Sequence, residues 1–345
     1  MGIVRDTARQ AAGKLLNSSH RRVDAAAAPA PNQPGPNQPG PNQKGPMIAS
    51  AVMAMFALMT TAKAENPGER QTVSQSKPAT VLARIASWAC QYQNVNPAQI
   101  AASALDLVVI DPILDGGSQR AASTADIRLM QRKPDGGRRL VLAYLSVGAA
   151  EEYRAYWKPE WRESPPQWLG PEDPNWARSY PVRFWHPQWH NIVNSALTRI
   201  VETGFDGIFL DRVDAYWLFR NDRPSATNEM VDFVVDLATR ARSTRPDFLV
   251  IGQNAEPLLT LEGYRSAIDA VSKESLLYGL QGEGTRNRPE QIGWSLHYLS
   301  IAKRAGLPIL AIEYLDAPTE IASARRRLRD LGFVPFFATR LLDRL

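Results

Sequence analysis

The sequence predicts an α/β fold, a single (β/α)8 TIM barrel with a tryptophan-rich insertion after its third strand. Short apolar runs alternate with helical patterns along residues 81–345. Most of the runs are continuous rather than alternating in polarity, which suits strands buried on both faces. Eight such runs separated by helices fit a parallel barrel, a fold of about 250 residues.

The expected strands are 85–91, 105–111, 139–147, 207–213, 248–253, 270–276, 308–314 and 333–337. The expected helices are 97–104, 124–133, 188–203, 228–245, 257–266, 289–305 and 319–331. Gly204-Phe-Asp206, Arg245-Pro-Asp247 and Ala305-Gly-Leu-Pro308 separate helices from the strands that follow, because Gly and Pro stop helices. An open doubly wound sheet is the competing architecture. No G-x-G-x-x-G follows any strand, which argues against its nucleotide-binding form.

Residues 149–187 interrupt the rhythm, and six of the nine tryptophans fall between Trp157 and Trp189. Such rings either pack on one another over the barrel mouth or stack on the C–H faces of sugars. Trp157 and Trp185 are the ring candidates for sugar contact.

Ahead of the barrel, residues 1–46 form an extension that ends in decaying Pro-Asn-Gln-Pro-Gly repeats, too polar to bury a core. Residues 47–64 combine a preceding Lys44, an apolar run and the end Ala62-Lys63-Ala64, the pattern of a cleaved secretory signal. Residues 65–80 read as a linker, and 81–345 as the barrel domain. The expected location is therefore secreted or periplasmic, with no stable membrane insertion after cleavage.

The net charge of +5 lies wholly in the first 64 residues, with seven Lys/Arg against two Asp/Glu. The remaining chain holds 33 of each sign, so no broad attraction to nucleic acid is expected. One cysteine and four histidines exclude a disulfide scaffold and a cysteine-rich zinc site.

Barrel function collects at the C-terminal ends of strands. There the sequence places Asp111, Asp211 with Asp214, Glu256, Glu274 and Glu313, acids closing five of eight strands. Buried acids are costly without partners, so their repetition points to one shared polar site. Two carboxylates, one protonated and one ionised, suffice to cleave a glycosidic bond without a metal or cofactor. A pure-carboxylate Mg²⁺ site is the alternative. His186, His190 and His297 fall in a loop and in helices, away from the strand ends.

Tyr144-Leu-Ser-Val-Gly148, Glu151-Glu-Tyr-Arg-Ala-Tyr-Trp157, Trp168-Leu-Gly-Pro-Glu-Asp-Pro-Asn-Trp176, Gly204-Phe-Asp-Gly-Ile-Phe-Leu-Asp211 and Asp214-Ala-Tyr216 together resemble glycoside hydrolase family 114, in its extracellular bacterial and archaeal branch. The resemblance runs from about Ser87 to the C-terminus. It implies a TIM barrel that cleaves α-1,4-linked galactosamine polymers internally. It also implies a catalytic pair, an Asp closing strand four and a Glu closing strand six. These fall on Asp211 as nucleophile and Glu274 as general acid/base of a retaining mechanism, with Glu256 and Glu313 as rival acids. Asp111, Tyr144, Asp214, Asn254, Glu256, Tyr278, Glu313 and Tyr314 are expected to line the site and bind the polysaccharide. The competing functions are a barrel that binds an envelope polysaccharide without cleaving it, and a metal-dependent lyase or phosphodiesterase.

Overall fold

The computed structural model describes residues 79–115, 120–174 and 176–345. The expected extension 1–46, signal 47–64 and most of the linker 65–80 lie outside the described residues. Eight parallel strands form a nearly closed barrel in strictly sequential order. They are β1 Trp88–Gln91, β2 Leu107–Ile110, β3 Leu140–Ser146, β4 Gly207–Asp211, β5 Leu249–Gln253, β6 Ala270–Glu274, β7 Ile309–Tyr314 and β8 Val334–Ala338. The helices between them are α1 Pro97–Ala102, α2 Thr124–Met130, α3 Pro187–Thr203, α4 Ala226–Thr244, α5 Glu262–Ala267, α6 Pro289–Arg304 and α7 Pro318–Asp330. Every expected strand is present, though most are shorter. The expected fifth helix is broken into a 3₁₀ segment, Glu256–Thr260, and α5. Among the described residues no helix is long and apolar enough to cross a membrane.

Strand residues alternate between two cores, because successive side chains point to opposite faces. Trp88, Cys90, Leu142, Phe209, Ile251 and Ile312 fill the barrel interior. Val108, Val141, Ile208, Val250 and Ala311 face outward and meet helix residues such as Ile127, Val193, Leu197 and Leu237. Local signals set the helix ends. Ser123 and Asp126 form a reciprocal capping box at α2, and Gly204 closes α3 at φ +97°.

Acids at the N-terminal end of the barrel are structural. Asp206 accepts the Val141 N–H at 2.9 Å, and Asp269 accepts the Val250 N–H at 2.8 Å. Asp106 does the same for Ala86 and Ser87. Each acid sits one residue or so before its own strand and ties it to the start of the preceding one.

Between β1 and β8 side chains and the C-terminal tail supply the link. Trp88 Nε1 donates to Val334 O at 2.8 Å, and its ring centroid lies 5.7 Å from that of Phe336. The Tyr92 N–H donates to Leu342 O at 2.7 Å, and Gln91 Nε2 to Asp343 O at 3.2 Å. The tail therefore occupies the seam between the first and last strands.

The insertion after β3 begins with a two-stranded antiparallel ribbon, Ala149–Glu151 against Ser179–Pro181. Its tryptophans pack mainly on one another. Centroids lie 5.4 Å apart for Trp157 and Trp161, 5.1 Å for Trp161 and Trp168, and 5.3 Å for Trp168 and Trp189. Trp189, on α3, donates its Nε1–H to Val147 O at 2.8 Å, which anchors the cluster to the end of β3.

Trp88→Ala removes an interior ring and a side-chain hydrogen bond from β1 to β8. It should cost about 3–5 kcal/mol, measured as a lower midpoint in urea unfolding.

Candidate active site

The two-residue period of the strands sorts the candidate acids. Counting from the interior residues Phe209, Ile251 and Ile312, the inward positions at the C-terminal ends are Asp211, Gln253 and Tyr314. The same count gives Asp111 after β2, Tyr144 on β3 and Glu274 on β6. Their immediate neighbours Lys273 and Glu313 fall on the opposite face.

Asp211 has a partner at each oxygen. Tyr144 donates its hydroxyl to Oδ2 at 2.8 Å. The Arg212 N–H donates to Oδ1 at 2.7 Å, and Arg212 itself is left-handed at φ +60°. Burial raises the Asp211 pKa to about 7. The Tyr144 hydrogen bond opposes that rise, the Glu274 carboxylate adds to it, Arg212 opposes it and Asp214 adds to it.

Glu274 is held from β5. Gln253 Nε2 donates to its Oε2 at 3.1 Å and Asn254 Nδ2 at 3.4 Å, while Asn254 Oδ1 accepts the Glu274 N–H at 3.1 Å. Asn254 reaches both groups from a left-handed conformation, φ +54°. Tyr314 lies beside Glu274, and burial together with that carboxylate pushes its phenol far above the ordinary range. Asp214 is exposed and adds a third acid to this mouth.

Gly148 permits the loops after β3 and β4 to meet. A Cβ there would lie 2.2 Å from Arg212 O and 2.3 Å from the Ala215 Cβ, closer than such atoms approach.

The structure corrects two of the expected site residues. Glu256 is buried and engaged by α6 and Lys273. Its Oε1 forms an ion pair with Lys273 Nζ at 2.9 Å and accepts the Ser295 hydroxyl of α6 at 2.8 Å. Despite burial, Lys273 holds its carboxyl below the usual range. Glu313 is fully buried on the outer face and accepts the N–H groups of Leu277 and Tyr278 at 2.7 and 3.2 Å. It caps the turn after β6, and burial raises its pKa to about 7. Both carboxylates are thus taken up by partners within the protein.

The other expected residues divide. Asp111 is buried and pairs with Arg154 at 2.7 Å. Tyr278 is buried and accepts from Arg286 Nη2 at 3.4 Å. Trp157 belongs to the packed cluster, 4.6 Å from the Tyr180 ring. Trp185 packs edge-on to Phe219, with the Arg223 guanidinium 4.4 Å from its centroid. The histidines have local roles: His186 caps α3, His190 stacks on Phe233 at 4.0 Å, and His297 lies 5.0 Å from Tyr298. Among the described residues, no group of three or more His, Cys, Asp or Glu side chains is arranged to hold a metal ion.

Sequence reasoning missed Gln253, Glu151, Tyr153 and Arg154. Gln253 was legible from strand period, two residues beyond Ile251. Glu151, Tyr153 and Arg154 lie in one of the motifs that carry the resemblance, but nothing in their spacing shows that they converge on Tyr144.

A sequential parallel barrel with acids gathered at its C-terminal mouth is the architecture of a barrel glycoside hydrolase. The chain belongs to glycoside-hydrolase family GH114, whose model matches residues 68–345. An uncharacterized protein of Deinococcus radiodurans is 36% identical over 281 residues, covering 79% of this chain and 86% of that one. Among solved structures, the glycoside hydrolase domain of PelA from Pseudomonas aeruginosa is similar in fold. Its TM-score is 0.60 at 24% identity, over 76% of this chain and 97% of that one. Ega3 of Aspergillus fumigatus, solved in complex with galactosamine, has a TM-score of 0.56 at 16% identity, over 75% of this chain and 93% of that one.

Glu256→Gln leaves Lys273 buried without its counter-charge and should cost about 3–5 kcal/mol, read as a lower thermal midpoint. At temperatures where the variant is folded, its KM should equal that of the parent. A raised KM would return Glu256 to the substrate site.

Proposed function

We propose that this protein cleaves a polysaccharide containing α-1,4-linked galactosamine, by a retaining mechanism in which Asp211 is the nucleophile and Glu274 the general acid/base. The observation that carries the reading is the placement of Asp211 and Glu274 at inward strand ends on either side of β5, each held by neutral donors. Such donors orient a carboxylate without cancelling its charge.

In the first step Glu274 gives its proton to the glycosidic oxygen as that bond breaks. Asp211 attacks the anomeric carbon and forms a glycosyl ester. In the second step Glu274, now ionised, takes a proton from water, and the water displaces Asp211. Tyr144 and the Arg212 N–H orient Asp211 for attack, while Gln253 and Asn254 orient Glu274.

An amino sugar suits this mouth. Glu274 and Asp214 both lie close enough to Asp211 for their charges to raise its pKa. A bound ammonium group would offset that repulsion and favour the ionised Asp211 that attack requires. The galactosamine bound to Ega3 gives the same direction by likeness of fold. The reading includes export, which rests on residues 47–64 and their Ala62-Lys63-Ala64 end.

Purified protein, in the presence of chelator, should release reducing ends from partly deacetylated galactosaminogalactan. Glu274→Gln should lower that rate by about 10²–10⁴-fold, and Asp211→Asn should lower it at least as far. Proton NMR of the first product should show the substrate's anomer retained. Full activity in both variants would remove these two residues from the mechanism.

The pH profile has a defined sign. Asp211 is an anion above about 7 and protonated below it. For the free enzyme kcat/KM should therefore fall as pH drops through about 7. The kcat profile should fall at lower pH, because a bound cation stabilises the anion. Coincident acid limbs on cationic and fully acetylated substrates would contradict the assignment of a charged sugar beside Asp211.

A further inference from the structure

Tyr144 stands between two carboxylates and has a single proton to donate. Its hydroxyl oxygen lies 2.8 Å from Asp211 Oδ2 and 3.0 Å from Glu151 Oε1. A phenol donates one hydrogen bond and accepts others. With both acids ionised, one of these short oxygen–oxygen contacts contains no proton. Both contacts are filled only when a second proton enters. Asp211 then donates to Tyr144, and Tyr144 donates to Glu151.

Glu151 is already richly supplied with donors. Tyr153 gives its hydroxyl to Oε1 at 2.6 Å, and Arg154 Nε donates to Oε2 at 2.6 Å. Arg154 is fixed in turn by Asp111, whose Oδ1 accepts Nη1 at 2.7 Å. The Glu151 backbone N–H donates to the Tyr156 hydroxyl oxygen at 2.8 Å. The ribbon that carries Glu151 is therefore rigidly held, and its carboxylate points at Tyr144.

We propose that Glu151 is a positioning residue that acts through Tyr144 to govern whether Asp211 carries a proton. Competition for the Tyr144 hydroxyl withdraws that donor from the Asp211 anion and supplies an acceptor chain for protonated Asp211. The consequence for catalysis rests on the role given to Asp211 above, whereas the sharing of the proton does not.

Other charged and titratable groups face Asp211 from each neighbouring element. They are Cys90 and Tyr92 at β1, Glu274 on β6, and Arg212 and Asp214 in its own loop. Glu151 is faced by Tyr153, Arg154, Tyr156 and Asp111 besides Tyr144. The Tyr144 link is the one that reverses direction when Glu151 becomes an amide. In Glu151→Gln, Arg154 demands the carbonyl oxygen of the new side chain. The amide nitrogen then faces Tyr144 and donates to it, so Tyr144 must donate to Asp211.

The test is a carbon-13 carboxylate NMR titration of the full chain, with the Asp211 signal assigned by its loss in Asp211→Asn. In Glu151→Gln the Asp211 midpoint should fall by about one pH unit or more, and the acid limb of kcat/KM should move with it. In a Tyr144→Phe background the same substitution should shift the midpoint by less than about 0.3 units, because the link is gone. Should Glu151→Gln fail to fold, Glu151→Asp keeps the partner of Arg154 but withdraws from Tyr144, and the midpoint should again fall. An unchanged or raised midpoint in a folded Glu151 variant would overturn the proposal, as would an equal shift with and without Tyr144. Absence of glycan cleavage by the parent protein would instead overturn the proposed substrate and leave the titration to decide on Glu151.

Discussion

The partial burial of the Asp211 carboxylate at the end of β4 is the constraint on which the rest of the site depends. A carboxylate taken from water needs donors or a proton. Here the donors come from two places, the Tyr144 hydroxyl on the neighbouring strand and the N–H of Arg212. Beyond that N–H, Arg212 turns into the left-handed region at φ +60°. That turn brings Arg212 O against Gly148, where no side chain fits. The glycine after β3 and the left-handed residue after β4 therefore belong to one close approach beside Asp211.

The same period that hides apolar side chains also separates the acids by task. Asp211 and Glu274 share the inward phase and face each other's field. Glu313 falls on the outer phase and Glu256 in the 3₁₀ segment beyond β5, where backbone N–H groups, Lys273 and Ser295 satisfy them. Lys273 adjoins Glu274 in sequence yet pairs with Glu256. A lysine on the inward phase would have neutralised the mouth. At the opposite end of the barrel Asp106, Asp206 and Asp269 accept backbone N–H groups and close strand edges.

The barrel was legible in the sequence because eight continuous apolar runs bounded by Gly, Pro and Asp leave few other arrangements. Strand order followed from short connections. Asp211 and Glu274 were legible as strand-ending acids, singled out by the family resemblance, and so were Glu256 and Glu313. Strand phase sets Glu313 apart, and Glu256 is set apart by the left-handed turn and 3₁₀ segment that follow β5. Listing strand-ending acids without assigning inward and outward positions admitted Glu256 and Glu313. Gln253 escaped notice as a neutral residue in a search directed at charge. Arg154 reaches Asp111 across 43 residues of chain, and Glu151 meets Tyr144 only because the ribbon folds back on β3, which no helix or strand period encodes.

The tryptophans take their place in this scheme through packing. A loop as long as 149–187 cannot by itself hold a carboxylate within hydrogen-bond reach of the barrel. The stack from Trp157 through Trp161 and Trp168 to Trp189 gives the loop a small core of its own. Trp189 fastens that core to Val147, four residues before Glu151. Ribbon pairing with Ser179–Pro181 then fixes Glu151 itself. The aromatic richness that suggests a sugar platform thus holds in place the loop that delivers Glu151 and Arg154 to Tyr144 and Asp111.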